Sequence, residues 1–165
     1  MIDMVDITEI SAIVAAAGVL VGVVLTVLEL RHLRKQRQTD LLMRLYSVFS
    51  MDDFLEALLK VMNLKFEDYR DFVKKYGSIQ SESPINVAIL KLANYFDGAG
   101  ILLHKGLIDV SMASDFMVPA TVASWNKMKP IIEGLRQETG SKYFSWFEYL
   151  YNEMKKREQK GAING

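Results

Sequence analysis

Cysteine is absent from the 165 residues. That excludes disulfides, thiolate metal sites and cysteine nucleophiles, and it fits a reducing compartment such as the cytoplasm. An excess of either charge is missing as well, since 20 Lys and Arg balance 20 Asp and Glu. Nothing in bulk points to nucleic acid, and none is expected as a partner. Proline (3) and glycine (10) are sparse, and no low-complexity linker or internal repeat divides the chain. Recognisable chemistry is missing too: there is no Walker A glycine loop, no G-x-S-x-G elbow and no His-Glu-x-x-His pair. The acids Glu67, Asp68 and Asp71 have neither EF-hand spacing nor the Glu-x-x-His of di-iron bundles. No catalytic residue, cofactor or metal ligand is therefore expected.

What is present is the run Ile10 to Leu28, ISAIVAAAGVLVGVVLTVL, which carries no charge and only the hydroxyls of Ser11 and Thr26. As a helix its residues span about 28 Å, close to the ~30 Å hydrocarbon core of a bilayer. A cleaved signal peptide has a basic start, a shorter apolar core and a small-x-small cleavage site. Here Asp3, Asp6 and Glu9 precede the run, and polar helix-forming sequence comes directly after it. The run reads as a retained transmembrane helix. After it comes a basic cluster, Arg31, Arg34, Lys35 and Arg37, with His32 among them. Such residues resist translocation, so the expected topology is single-pass in the cell membrane, N-terminus outside and C-terminal domain cytoplasmic. Ser11, Ala15, Gly18 and Gly22 step by four, three and four along one stripe. Small residues let helix backbones approach closely in lipid. The expected partners are the bilayer and, through this stripe, another membrane protein or a second copy.

Downstream the pattern is helical throughout. Leu30, Leu33, Leu41, Leu45 and Phe49 continue the first helix as a stalk to about Phe49. Ser50 looks like a cap for a helix with Phe54, Leu55, Leu58, Leu59 and Met62 on its apolar face. Phe66, Tyr69, Phe72, Val73 and Tyr76 make another, ended by Gly77. After the loop SIQSES, Ser83-Pro84 opens a helix with Ile85, Ala88, Ile89, Leu92, Phe96 and Leu103 inward, closing at His104-Lys105-Gly106. The segment from about Ser111 to Arg136 holds Pro119 and Pro130, each expected to bend or break it. A last helix, Tyr143 to about Lys156, inserts Phe144, Phe147, Leu150, Tyr151 and Met154, and the tail beyond it should fray. The fold class is all-α, a single N-terminal transmembrane helix continuing into a small cytoplasmic helical domain. Its divisions are residues 1–30 (tail and membrane helix), 31–49 (basic juxtamembrane stalk) and 50–165 (helical domain).

The order of the basic stalk, LYSVFSMDDFLEALLKV, YFDGAGILLHKGLID, the W…KP…LR segment and FEYLYNEMKK resembles a prokaryotic family known as domain of unknown function family 4760. The resemblance reaches from the membrane helix to about Lys156. It implies one N-terminal membrane helix and a cytoplasmic helical domain, and brings no activity or site residues.

One polar constellation stands out. Asn94, Asp97, Ile101 and His104 share a side of the fourth helical segment. Asp97 and His104 lie two turns, about 10.5 Å, apart and cannot bond each other directly. Gly98 and Gly100 beside Asp97 suggest close approach of a neighbouring helix. The plainer reading makes Asp97 a buried acid satisfied by a hydroxyl, indole or arginine, or a solvated one. The aromatics Tyr143, Phe144, Trp146, Phe147, Tyr149 and Tyr151 cover more of a helix than one core face needs. An exposed part of that strip would form a binding patch. Two classes of function remain. The first is a membrane-anchored interaction module, an accessory, regulatory or scaffold subunit of a membrane complex. The second is a membrane-tethered enzyme or small-ligand sensor with a site near Asp97 and His104.

Overall fold

The computed structural model describes the backbone of residues 4–163 and the side chains of residues 9–159. Asp3 and the side chain of Asp6, two of the acids read ahead of the apolar run, lie outside the described residues. Among the described residues the fold is all-helical: α1 (Met4–Phe49), α2 (Asp52–Met62), α3 (Tyr69–Tyr76), α4 (Pro84–His104), α5 (Val110–Thr139) and α6 (Ser145–Ile163). The chain divides into two compact units, one ending at Thr39 and one starting at Asp40.

In the first unit α1 is apolar and bare. Ile13, Leu20 and Leu25 are 68%, 67% and 59% exposed, and no residue from Glu9 to Gln36 is buried within the chain. This is a helix long and apolar enough to cross a membrane.

The second unit encloses one core. α6 lies against α4 and α5, and α2 lies against α4 and α5. Its centre is aromatic: Phe147 stacks on Phe96 at 4.9 Å and meets Trp125 edge-on at 5.0 Å. The end of α1 joins it, as Leu41, Leu42, Leu45 and Phe49 pack against the core. The largely buried Tyr95 hydroxyl donates to the Leu45 carbonyl at 2.9 Å, and that burial raises its pKa.

Several expectations need correction. Ser50 does not open α2; Met51 does, without a side-chain cap bond, while the Ser50 hydroxyl turns back to the Tyr46 carbonyl at 2.9 Å. The buried face of α2 is Phe54, Ala57 and Val61, whereas Leu55, Leu59 and Met62 are exposed. Phe66 precedes α3 rather than belonging to it. α3 starts behind Asp68, whose carboxylate accepts from the Asp71 amide at 2.8 Å, while Asp71 accepts from the Glu67 amide at 3.0 Å. The acid cluster is thus a reciprocal cap, and the Lys75 ammonium 2.8 Å from Asp71 lowers that carboxyl's pKa.

Neither proline breaks α5, which runs unbroken for 30 residues. Pro119 and Pro130 remove the amides that would serve the carbonyls of Asp115 and Asn126. Both of those residues are exposed, so water can take the donors' place. The last helix starts at Ser145 and stays helical to Ile163, past the expected fraying point. Residues 164–165, the end of the tail expected to fray, lie outside the described residues.

Candidate functional site

The polar constellation of α4 is built around a helix terminus. α4 itself is well bounded: Ser83 accepts from the Asn86 amide, Pro84 sits in the first turn, and Gly106 (φ 65°) ends it. Beyond the last turn, the Leu107 amide reaches the Leu102 carbonyl at 2.9 Å and the Gly106 amide the Leu103 carbonyl at 3.0 Å, a Schellman closure. This fixes the register of Asp97, Gly100 and His104 along the helix.

Asp97 is half-buried, not fully buried. Its Oδ1 accepts from the backbone amides of Trp146 at 2.9 Å and Phe147 at 3.0 Å. Those are first-turn amides of α6, which have no intrahelical acceptor. The residue before α6 is Phe144, held at φ 55°, and its side chain has no oxygen to cap with. Asp97 therefore supplies from α4 the cap that α6 lacks in its own sequence. The hydroxyl, indole or arginine partner expected for this acid is replaced by two backbone donors, a pattern with no side-chain signature.

The glycines beside it differ. A Cβ on Gly100 would lie 2.0 Å from the Trp146 carbonyl oxygen, so backbone meets backbone here, whereas nothing lies within 4 Å of a Cβ on Gly98. His104 lies one turn further, exposed, its ring 4.5 Å from that of Trp146 and 5.3 Å from that of Tyr149. Asn94 belongs to different surroundings. With Val48, Met51, Phe54, Val87 and Tyr95 it lines an open cavity of about 560 Å³, edged by the Asp53–Lys91 ion pair at 2.6 Å. The three residues thus share a side of one helix without sharing a site.

The aromatic strip of α6 is mostly taken inward. Phe147 is buried, Trp146, Tyr149 and Tyr151 are half-buried, and Tyr143 is 42% exposed. Sequence reasoning missed what fastens its start: Arg136 donates from Nε to the Tyr143 carbonyl at 2.8 Å and from Nη1 to Glu148 at 2.7 Å. It also missed Gly134, where a Cβ would meet the Tyr69 ring at 2.0 Å. A glycine inside a long helix, costing about 1 kcal/mol against alanine, is the signal that could have found it.

In α1 the stripe Ser11, Ala15, Gly18 and Gly22 is exposed, and a Cβ at either glycine would meet nothing within 4 Å. Thr26, next on that line, returns its hydroxyl to the Gly22 carbonyl at 2.8 Å. Arg31, Arg34, Lys35 and Arg37 are all exposed, and His32 lies 3.1 Å from the Gln36 amide nitrogen. Among the described residues no three His, Asp or Glu side chains gather as a possible metal site.

Comparison with curated proteins and with solved structures finds no match to this chain. Residues 12–154, which hold all but the start of the apolar run, the Asp97 cap and the aromatic core, match the family described as Domain of unknown function (DUF4760), and the chain belongs to that family.

Proposed function

We propose that this chain is a membrane-anchored interaction module, an accessory, regulatory or scaffold subunit of a membrane complex. α1 crosses the cell membrane once, with the N-terminus outside and the domain beyond Arg31 in the cytoplasm. The observation that carries this reading is the bare apolar length of α1, whose large side chains from Ile10 to Leu33 are all exposed. In water such a surface is costly, at about 25 cal/mol per Å²; in lipid it is the ordinary exterior of a helix. Glu9 before the run and the exposed Arg31, Arg34, Lys35 and Arg37 after it support the orientation.

The bilayer is one partner. The other meets the Ser11, Ala15, Gly18 and Gly22 stripe, either as another membrane protein or as a second copy. An enzyme or sensor built on Asp97 and His104 would need both residues on a shared cavity. The use of Asp97 as a helix cap and the packing of His104 on Trp146 favour the interaction module. We assign the chain no reaction.

The test is the double variant Gly18→Ile/Gly22→Ile, crosslinked in its native membrane. Membrane retention should persist while crosslinking to the partner falls. Unchanged crosslinking would remove the stripe from the proposal.

A further inference from the structure

Arg31, Arg34 and Lys35 follow the apolar run of α1 and project from one face of the helix, within an arc of about 100°. All three are exposed, and neighbours three or four residues apart on such a face hold their Cβ atoms about 5–6 Å from each other. Their surroundings supply no countercharge. No acid lies three or four residues from any of them, and Glu29 falls on the far side of the helix from Arg31. Among the described residues no ion pair includes one of the three. Further along α1, where Arg44 does have an acid at that spacing, it pairs with Asp40 at 2.9 Å. Like charges at helical spacing repel, so this face costs the bare helix stability. An anion seated among the three cations removes that cost.

The same helix says where the anion comes from. Leu30 and Leu33, 60% and 47% exposed, alternate with Arg31 and Arg34, so apolar side chains continue beside the first cations. Arg31 stands about 4.5 Å beyond Leu28 along the axis and Lys35 about 10.5 Å. The interfacial layer adds about 5–8 Å to each side of the hydrocarbon core. Helical side chains lean toward the N-terminus, which here is back toward the apolar run, and long cationic side chains reach the headgroups by that lean. A phosphate in solution would gain nothing from the lean or from the leucines. A choline headgroup would bring a fourth cation to the face, so a net negative headgroup is the better fit.

We propose that Arg31, Arg34 and Lys35 form a binding site for the phosphate of one anionic phospholipid. Each arginine offers a planar pair of N–H donors to the phosphate oxygens, and Lys35 adds a point charge. The inference rests on the membrane-anchor reading and deepens it by naming the class of lipid that the anchor selects.

The full chain is reconstituted in phosphatidylcholine vesicles holding a trace of spin-labelled phosphatidylglycerol or spin-labelled phosphatidylcholine. Electron paramagnetic resonance reads the share of each label immobilised at the protein, and identical leaflets make the direction of insertion irrelevant. The anionic label should be favoured about threefold or more. Arg31→Gln/Arg34→Gln/Lys35→Gln should bring the ratio to about one, and Arg34→Gln alone should lower it about twofold. Arg37→Gln, off the shared arc, should leave it nearly unchanged. A ratio near one in the parent chain, or equal falls for Arg34→Gln and Arg37→Gln, would overturn the proposal. Phosphate and chloride buffers of equal ionic strength separate the sources of the anion. An unchanged preference supports the headgroup, whereas its loss in phosphate alone would give the site to free phosphate and overturn the lipid assignment. Flotation of the vesicles keeps the two readings apart. A chain that floats without a preference loses only the headgroup site, whereas a chain left unbound loses the anchor and this inference with it.

Discussion

Leu20 and Leu92 are the same side chain in the same helical conformation, yet Leu20 is 67% exposed and Leu92 is 0% exposed. The glycines repeat the contrast. Gly18 and Gly22 of α1 face open space, while Gly100 faces the Trp146 backbone and Gly134 the Tyr69 ring. In the unit from Asp40 on, the apolar side chains find one another and half-buried polar groups are aimed at helix ends. Among the described residues of the unit up to Thr39, the large apolar side chains stay exposed. The same transfer free energy that closes the core of one leaves the other as a bare apolar surface, long enough to cross a membrane.

The sharpest way to break that contrast is to add one methyl group at each kind of glycine. Gly100→Ala places a carbon against a carbonyl that cannot rotate away, so α6 must shift from α4; a loss of about 3 kcal/mol is expected. Gly18→Ala should leave the melting of the helical domain unchanged within about 0.5 kcal/mol. Thermal melts of the two full-length variants in mild detergent measure both.

Next in size is Asp97→Ala. It strands two amides at the start of α6, and about 1–3 kcal/mol of destabilisation is expected. His104→Ala removes only ring contacts with Trp146 and Tyr149 and should cost under about 1 kcal/mol. Measured in the same melts, the two losses should be separable. A stability unmoved by Asp97→Ala would return that carboxylate to the candidates for a chemical role.

The smallest effect is a pH dependence confined to the packed unit. Burial, and then the 2.6 Å hydrogen bond to Glu138, push the Tyr69 phenol from 10.0 up to about 12. The folded chain therefore holds this proton longer than the unfolded one. Its contribution is full below about pH 10 and is lost as pH rises from there toward about 12. The melting-temperature gap between the parent and Tyr69→Phe should narrow over that window and stay constant below it.

How far these features could be read from sequence depends on the range of the interaction behind them. α4 was legible from Ser83, Pro84 and Gly106 because capping is local and each residue type has one physical reason to be there. The exposed run of α1 was legible because an uncharged apolar stretch of that length needs no partner to be recognised. α2 was half legible: its apolar face is wide, and sequence cannot say which half another helix will cover, so Leu55 and Leu59 were placed inside. Of the bend or break expected at the α5 prolines, the break does not occur, since the helix runs on through Pro119 and Pro130 with exposed residues, Asp115 and Asn126, one turn before them. The Asp97 cap was beyond reach, since its partners are the distant backbone amides of Trp146 and Phe147, with no side chain to name them.

The central claim is that lipid is the solvent of α1, and its most direct test is accessibility to a membrane-impermeant maleimide in intact cells. Single cysteines at Val14, Leu20, Val24 and Thr39 report position by position, because the chain has no cysteine of its own. The expected result is no labelling at Val14, Leu20 or Val24 with membranes intact, and labelling at Thr39 only after the membrane is opened. Labelling of Leu20→Cys in intact cells, or recovery of the unlabelled chain in the soluble fraction, would contradict it.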